Sequence, residues 1–222
     1  MTSPLVTDDM STLFRLRMRV ADLRGRGIYA GYPDRNRCIF IHIPKTAGSS
    51  VLYSLFGEPS RHVPYFVYQR ANPRKFERYF KFAFVRNPWD RLVSSYFYLR
   101  NGGSGGEDKE WADRNLVRYP DFRSFVHGWV NEENVMTWRH FVPQSYYILD
   151  CAGTVKVDFV GRYERLAEDF RYVSGRLGRN VAIAAMNAST HAPFSSYYDA
   201  EMSAVVQRVY ARDIEAFGYS AP

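Results

Sequence analysis

The apolar positions of this chain change period several times, and each change marks an element. Cys38-Ile39-Phe40-Ile41-His42-Ile43 is too short a run for a helix and is rich in β-branched and aromatic side chains, which predicts a buried, central strand. It stops at Pro44-Lys45-Thr46-Ala47-Gly48-Ser49-Ser50, after which Val51, Leu52, Leu55 and Phe56 recur at helical spacing. A strand, a tight loop and a helix N-terminus follow in that order. The succession returns downstream: Phe82-Ala83-Phe84-Val85 reads as a second buried strand, and Asn87, Pro88 and Asp90 supply an N-cap, a first helical residue and a first-turn acid. In the helix they open, Trp89, Leu92, Val93, Tyr96 and Arg100 share one side, and Arg91, Ser94, Ser95 and Tyr98 lie on the other.

The remaining elements are read the same way. Residues 1–10 are polar and read as loose. Leu13, Phe14, Leu16, Met18, Val20 and Leu23 then interleave with Arg15, Arg17, Arg19, Arg24 and Arg26 in a basic amphipathic helix. Such a helix could meet a membrane surface or nucleic acid through residues 11–26; the favoured expectation is a helix packed on the domain with its arginines in solvent. Gly57-Glu58-Pro59 and Arg61-His62-Val63-Pro64 make a surface loop, and residues 65–81 carry a short helix. Residues 101–106, Asn-Gly-Gly-Ser-Gly-Gly, read as a mobile tether. An amphipathic helix over Phe122–Val130, an irregular loop at 138–144, a third strand at Val157–Val160, a helix at 164–177 and a tail helix from Asp199 to Phe217, stopped by Gly218, complete the chain. There is no internal repeat. Strands alternating with helices imply an α/β fold in three layers, a central parallel sheet flanked by helices. Residues 1–37 read as an N-terminal basic helical extension and 38–222 as one domain.

Composition narrows the ligand. The chain has 222 residues, 46% hydrophobic and 17% aromatic, enough for a substantial core. A formal net charge of +7 points to an anionic ligand, an anionic polymer or an acidic membrane surface. Cys38 and Cys151, far apart, form neither a disulfide framework nor a metal spacing, which fits a reducing cytoplasm. No membrane span or signal peptide is read, so a compact protein without an anchor is expected.

The first strand-loop-helix junction carries the chemistry. Helix N-termini present amide N–H groups and the positive end of a dipole, so the loop suits phosphate or sulfate. It is not a Walker A loop: Lys45 precedes Gly48, and no second glycine lies upstream.

Ile43-Pro44-Lys45-Thr46-Ala47-Gly48-Ser49-Ser50, together with Phe84-Val85-Arg86-Asn87-Pro88-Trp89-Asp90-Arg91-Leu92-Val93-Ser94-Ser95-Tyr96, resembles the sulfotransferase family that uses 3′-phosphoadenosine 5′-phosphosulfate (PAPS), specifically its carbohydrate-type branch. Weaker likeness runs through Phe141–Ser145, Val157–Glu164, Asn187-Ala188-Ser189 and Asp213–Tyr219, so it spans about residues 38–219. The resemblance implies a P-loop-like fold, and a 5′-phosphosulfate loop formed by Lys45, Thr46, Ala47, Gly48, Ser49 and Ser50. It also implies a 3′-phosphate site at Arg86 and Ser94. Two anion sites at strand ends suit a nucleotide phosphorylated at both ends, with a lysine point charge at one and a forked guanidinium at the other. The plain alternatives are a helix-start ion pair for Arg86 and a solvated helix serine for Ser94.

The implied reaction is in-line sulfuryl transfer from PAPS to an acceptor hydroxyl or amine, releasing 3′-phosphoadenosine 5′-phosphate (PAP), with no metal required. Lys45 and the loop amides would stabilise the departing oxygen. His62 is the leading general base, with His140, His191 and Glu58 as further candidates, whereas His42 is expected to serve strand packing or to orient the loop. Relatives of this type imply a glycan or glycolipid acceptor and a bacterial enzyme. Two rival readings are a P-loop kinase or NTPase, which shares the strand-loop-helix logic but needs a Walker lysine and a Mg-binding acid that are not apparent, and a non-catalytic module binding anionic polymers, which explains the charge but not the two ordered motifs.

Overall fold

The computed structural model describes residues 12–184 and 192–222. The expectations placed on residues 1–10, on Asn187-Ala188-Ser189 and on His191 lie outside these. In chain order the elements begin α1 (Thr12–Leu23), α2 (Tyr32–Asn36), β1 (Cys38–Ile41), α3 (Gly48–Phe56), α4 (Tyr65–Ala71), α5 (Pro73–Arg78) and β2 (Phe80–Val85). They continue α6 (Pro88–Arg100), α7 (Gly106–Asn115), α8 (Phe122–Gly128), α9 (Gln144–Ile148), β3 (Phe159–Arg162), α10 (Leu166–Arg176), α11 (Ala200–Val209) and α12 (Ala211–Phe217). The described residues group into two compact units, 12–85 with 144–184 and 86–143 with 192–222.

The first unit is the α/β part. Its three strands are parallel, ordered β1-β2-β3, with Phe40 opposite Phe82 and Phe82 opposite Phe159. β2, not β1, is therefore the middle strand, although every residue of β1 is buried. The open side of β1 is closed by a side chain: the Tyr32 hydroxyl donates to the Phe40 carbonyl at 3.4 Å and accepts from its N–H at 3.3 Å. The third strand starts two residues later than its sequence suggests. Asp158 turns its carboxylate onto the Lys81 amide (2.8 Å) and ammonium (2.9 Å), and the ladder begins at Phe159.

Phe40, Phe82 and Phe84 from the sheet pack with Val51, Leu52 and Leu55 of α3 and with Phe170 and Val173 of α10. Residues 65–81 hold two short helices rather than one, because Asn72 caps α5 by accepting from the Lys75 N–H and Pro73 occupies its first turn. α1 forms as expected but docks through an unexpected side. Asp22 is buried, bonded to Lys75 (3.0 Å) and Asn72 (2.8 Å), while Leu13, Leu16, Val20 and Leu23 are exposed. No described helix is long and apolar enough to cross a membrane.

The second unit is helical, with Trp89 and Tyr96 of α6, Trp111 of α7, Phe125 of α8 and Val206 of α11 in one core cluster. The glycine-rich segment is an ordered turn here, not a loose tether. Gly102 and Gly103 donate to Leu99 and Tyr98 carbonyls, both at 2.9 Å, and a Cβ on Gly103 would lie 2.4 Å from the Asp108 Cβ. The tail is two helices, broken at buried Tyr210, whose hydroxyl donates to the Phe141 carbonyl at 2.8 Å, and Gly218 ends the second with φ 62°.

Gly161 of β3 packs closely on the neighbouring strand, since a Cβ there would sit 2.5 Å from the Phe84 ring. Gly161→Ala is expected to cost about 1–3 kcal/mol in chemical denaturation. The cost should shrink in a Phe84→Leu background, and equal cost in both backgrounds would show that the ring is not the obstacle.

Candidate active site

The loop after β1 is built by the first unit alone. The Thr46 hydroxyl, fully buried, donates back to the Ile43 carbonyl at 2.9 Å and closes the turn. Lys45 and Ala47 take left-handed backbone conformations, φ 69° and 63°. For non-glycine residues each costs about 1–3 kcal/mol and persists only when the surroundings dictate it. Ala47 is the N-cap of α3, and its side chain makes no capping hydrogen bond. A helix start of this kind leaves its first-turn amides without intrahelical acceptors, next to the positive end of the dipole, with Lys45 beside them in sequence.

His42 explains why the loop turns where it does. Its buried ring stacks on Phe40 (centroids 5.6 Å apart, planes at 15°), and its Nδ1 is hydrogen bonded to the Ser60 hydroxyl at 2.6 Å. The opposite edge lies flush on the helix start: a Cβ on Gly48 would fall 1.9 Å from its Cδ2 and 2.2 Å from its Nε2. His42 thus orients the loop, as the sequence led us to expect. His62 is half-buried, with its ring centroid 4.3 Å from that of His42. Glu58 forms an ion pair with Arg35. Ser60 went unnoticed in the sequence; only the fold carries it to His42, 18 residues away.

From Arg86 onward the second motif lies in the second unit. Asn87 caps α6, accepting from the Trp89 N–H at 3.0 Å, with Pro88 in the first turn. Arg86 is buried and grips Asp90 side-on, Nε to Oδ2 at 2.7 Å and Nη2 to Oδ1 at 2.8 Å. The helix-start ion pair therefore exists, and it fixes the guanidinium's plane. Ser94 lies two turns along the same helix and is 1% exposed. The side of α6 expected to be the more polar is not solvated. Arg91 donates to the His140 (3.3 Å) and Val142 (2.9 Å) carbonyls, and Ser95 donates to the His140 carbonyl at 2.9 Å. Those backbone acceptors permit a polar helix face to be buried.

His140, a candidate base, sits in a buried polar network. Its Nε2 lies 3.1 Å from Asp108 Oδ1, to which Arg139 also donates at 2.6 Å, while Tyr98 donates to Oδ2 at 3.0 Å and Ser104 at 3.1 Å. Burial alone would raise the Asp108 carboxyl. The hydrogen bond and charge of His140, followed by Arg139 and Tyr98, outweigh burial and hold the carboxyl well below the usual carboxylate range. His140 thereby ties the 138–142 segment, through its carbonyl, to Arg91 and Ser95 of α6.

Two measurements probe these contacts. Gly48→Ala should destabilise the protein by about 1–3 kcal/mol, and His42→Ala in the same chain should recover most of that loss; additive effects would mean the ring does not define the helix start. Asp108→Asn should cost about 3–5 kcal/mol near neutral pH. Because the folded carboxyl is depressed, its contribution is complete above about pH 3.9 and disappears as pH falls toward the folded value. Urea denaturation of both proteins across acidic pH should show the gap closing, and a constant gap would dismiss the carboxylate.

Comparison with known proteins agrees with the motifs. A profile described as "Sulfotransferase family" matches residues 32–220. Carbohydrate sulfotransferase 14 of Danio rerio is 28% identical over 178 residues, 65% of this chain and 47% of the relative. The human protein of that name is 33% identical over 118 residues, 45% of this chain and 29% of its own length. Mouse sulfotransferase 2A1 is 34% identical over 88 residues, 35% of this chain and 30% of the relative. The matched stretches span less than half the length of these relatives, and no solved structure matches. The profile match extends over both junctions, with Pro44–Ser50 and Arg86–Ser94 inside it, and on that ground the chain belongs to the sulfotransferase family.

Proposed function

We propose that the protein transfers a sulfuryl group from PAPS to a hydroxyl or amine of a carbohydrate acceptor, a glycan or glycolipid, and releases PAP. The observation that carries this reading is the loop before α3, with two non-glycine left-handed residues, Lys45 and Ala47, at a helix start that no N-cap side chain closes. Backbone strain of this kind is retained where it serves a ligand, and the donors assembled there match a sulfate or phosphate group.

Lys45 and the amides of residues 46–50 hold the 5′-phosphosulfate and meet the charge that builds on the departing oxygen. Arg86, its plane set by Asp90, and Ser94 hold the 3′-phosphate. His62 takes the acceptor's proton; its ring contact with His42, which itself rests on Gly48, supports this choice over Glu58, already engaged by Arg35. The relatives named carbohydrate sulfotransferase 14 support a carbohydrate acceptor. Cys38, buried, and Cys151, exposed, are both free, in keeping with a reducing, cytoplasmic setting.

The test pairs binding with turnover. Incubation with PAPS and a panel of saccharides, glycolipids and small alcohols should yield a sulfate-sized mass gain on one class. Lys45→Ala should lower kcat by about 10²–10³-fold, and Arg86→Ala should weaken PAP binding in calorimetry. His62→Ala should lower turnover by about 10²–10⁴-fold with PAP affinity retained. Normal nucleotide affinity and turnover in both the Lys45 and Arg86 variants would refute the site.

A further inference from the structure

α1 has two sides with opposite roles. At 3.6 residues per turn, Leu13, Leu16, Val20 and Leu23 stand at i, i+3, i+7 and i+10 and form one stripe. They are 59%, 57%, 36% and 84% exposed. The opposite side, with half-buried Met18 and Ala21 and buried Asp22, faces the fold.

That inner side is latched. Lys75 of α5 bonds Asp22 at 3.0 Å and Asp34 of α2 at 2.9 Å, Tyr79 donates to Asp34 at 2.8 Å, and Asn72 donates to Asp22 at 2.8 Å. The chain folds back tightly after the helix, since a Cβ on Gly27 would lie 2.7 Å from Asp22 backbone atoms. The apolar stripe consequently faces outward by construction.

Its flanks are basic. On a helical wheel carried one residue past Leu23, Arg17 and Arg24 border the stripe on one side and Arg19 on the other, and all three are exposed, as is Arg26 beyond them. Residues 12–26 contain five arginines and one carboxylate, Asp22, which is on the latched side.

We propose that this outer side of α1 is a docking surface for an anionic lipid bilayer, holding the first unit at a membrane interface. Aliphatic side chains flanked on both edges by arginine match the two layers of such an interface: acyl chains take the stripe, and headgroup phosphates take the guanidinium groups, whose stems lie along the apolar boundary. A second copy of the chain fits poorly, because a symmetric pairing of stripes would set arginines against the same arginines. Nucleic acid would use the charge and leave the stripe in water. The proposal is independent of the sulfuryl-transfer reading.

The experiment is co-flotation of the full chain with vesicles of phosphatidylcholine alone or phosphatidylcholine containing phosphatidylserine. Binding is expected to the anionic vesicles and to fall steeply with added salt. Leu16→Glu/Leu23→Glu should lower the bound fraction at least tenfold, with thermal unfolding unchanged. Arg17→Glu/Arg19→Glu/Arg24→Glu should do the same, and the lysine triple variant should retain binding. Failure of the parent chain to float, equal flotation with neutral vesicles, undiminished binding by the leucine variant, or a concentration-dependent dimer abolished by that variant would each overturn the proposal.

Discussion

The contact between His42 and Gly48 is the constraint on which the putting-together of the first motif rests. An imidazole fills the space a Cβ would need, so the first residue of the helix is defined by a ring projecting from the end of the strand. The ring is itself fixed from two other directions, by Phe40 beneath it and Ser60 at its far nitrogen. Between this fixed helix start and the bond from Thr46 to Ile43, the intervening residues have few conformations left. Lys45 and Ala47 adopt left-handed backbones because both ends of a very short path are pinned.

Local signals in the chain announced the strand-loop-helix order, the proline and asparagine at the start of α6, and Gly218 at the end of α12. Each depends on residues within one turn of each other, where sterics and hydrogen bonding act without help from the rest of the fold. The order of the strands was not legible, because a run such as Cys38–Ile41 reads the same in the middle of a sheet or at a side covered by Tyr32. Nor was the burial of Arg91, Ser94 and Ser95, since a helical pattern sorts apolar from polar positions but does not reveal carbonyls arriving from residues 140–142. Among site residues, Arg86 with Asp90 was within reach because four positions separate them. Ser60 and Asp108 were beyond it, their partners lying 18 and 32 positions away.

Polar side chains fix the backbone in both units. In the first, single groups close a turn and a strand end, as buried Thr46 does at the loop and exposed Asp158 at the entry to β3, while buried Asp22 collects Asn72 and Lys75 to hold α1. In the second, Asp108 collects donors from α6, the glycine turn and the 138–142 segment. One carboxylate thereby gives an apparently featureless glycine-rich stretch a defined course, and flexibility inferred from composition alone is overridden by a single acceptor with several partners.

The hydroxyl of Tyr32 also governs how the sheet can meet another chain. A lateral strand normally offers a row of amide and carbonyl groups to any extended peptide that drifts alongside, and misassembly into larger sheets starts there. At Phe40 both groups are already taken by one phenol. An incoming strand would have to expel a buried aromatic ring before making its first hydrogen bond. Protection against sheet-to-sheet growth in this chain is accordingly supplied from the five-residue helix α2 upstream, by an element that carries no part of the anion-binding loop.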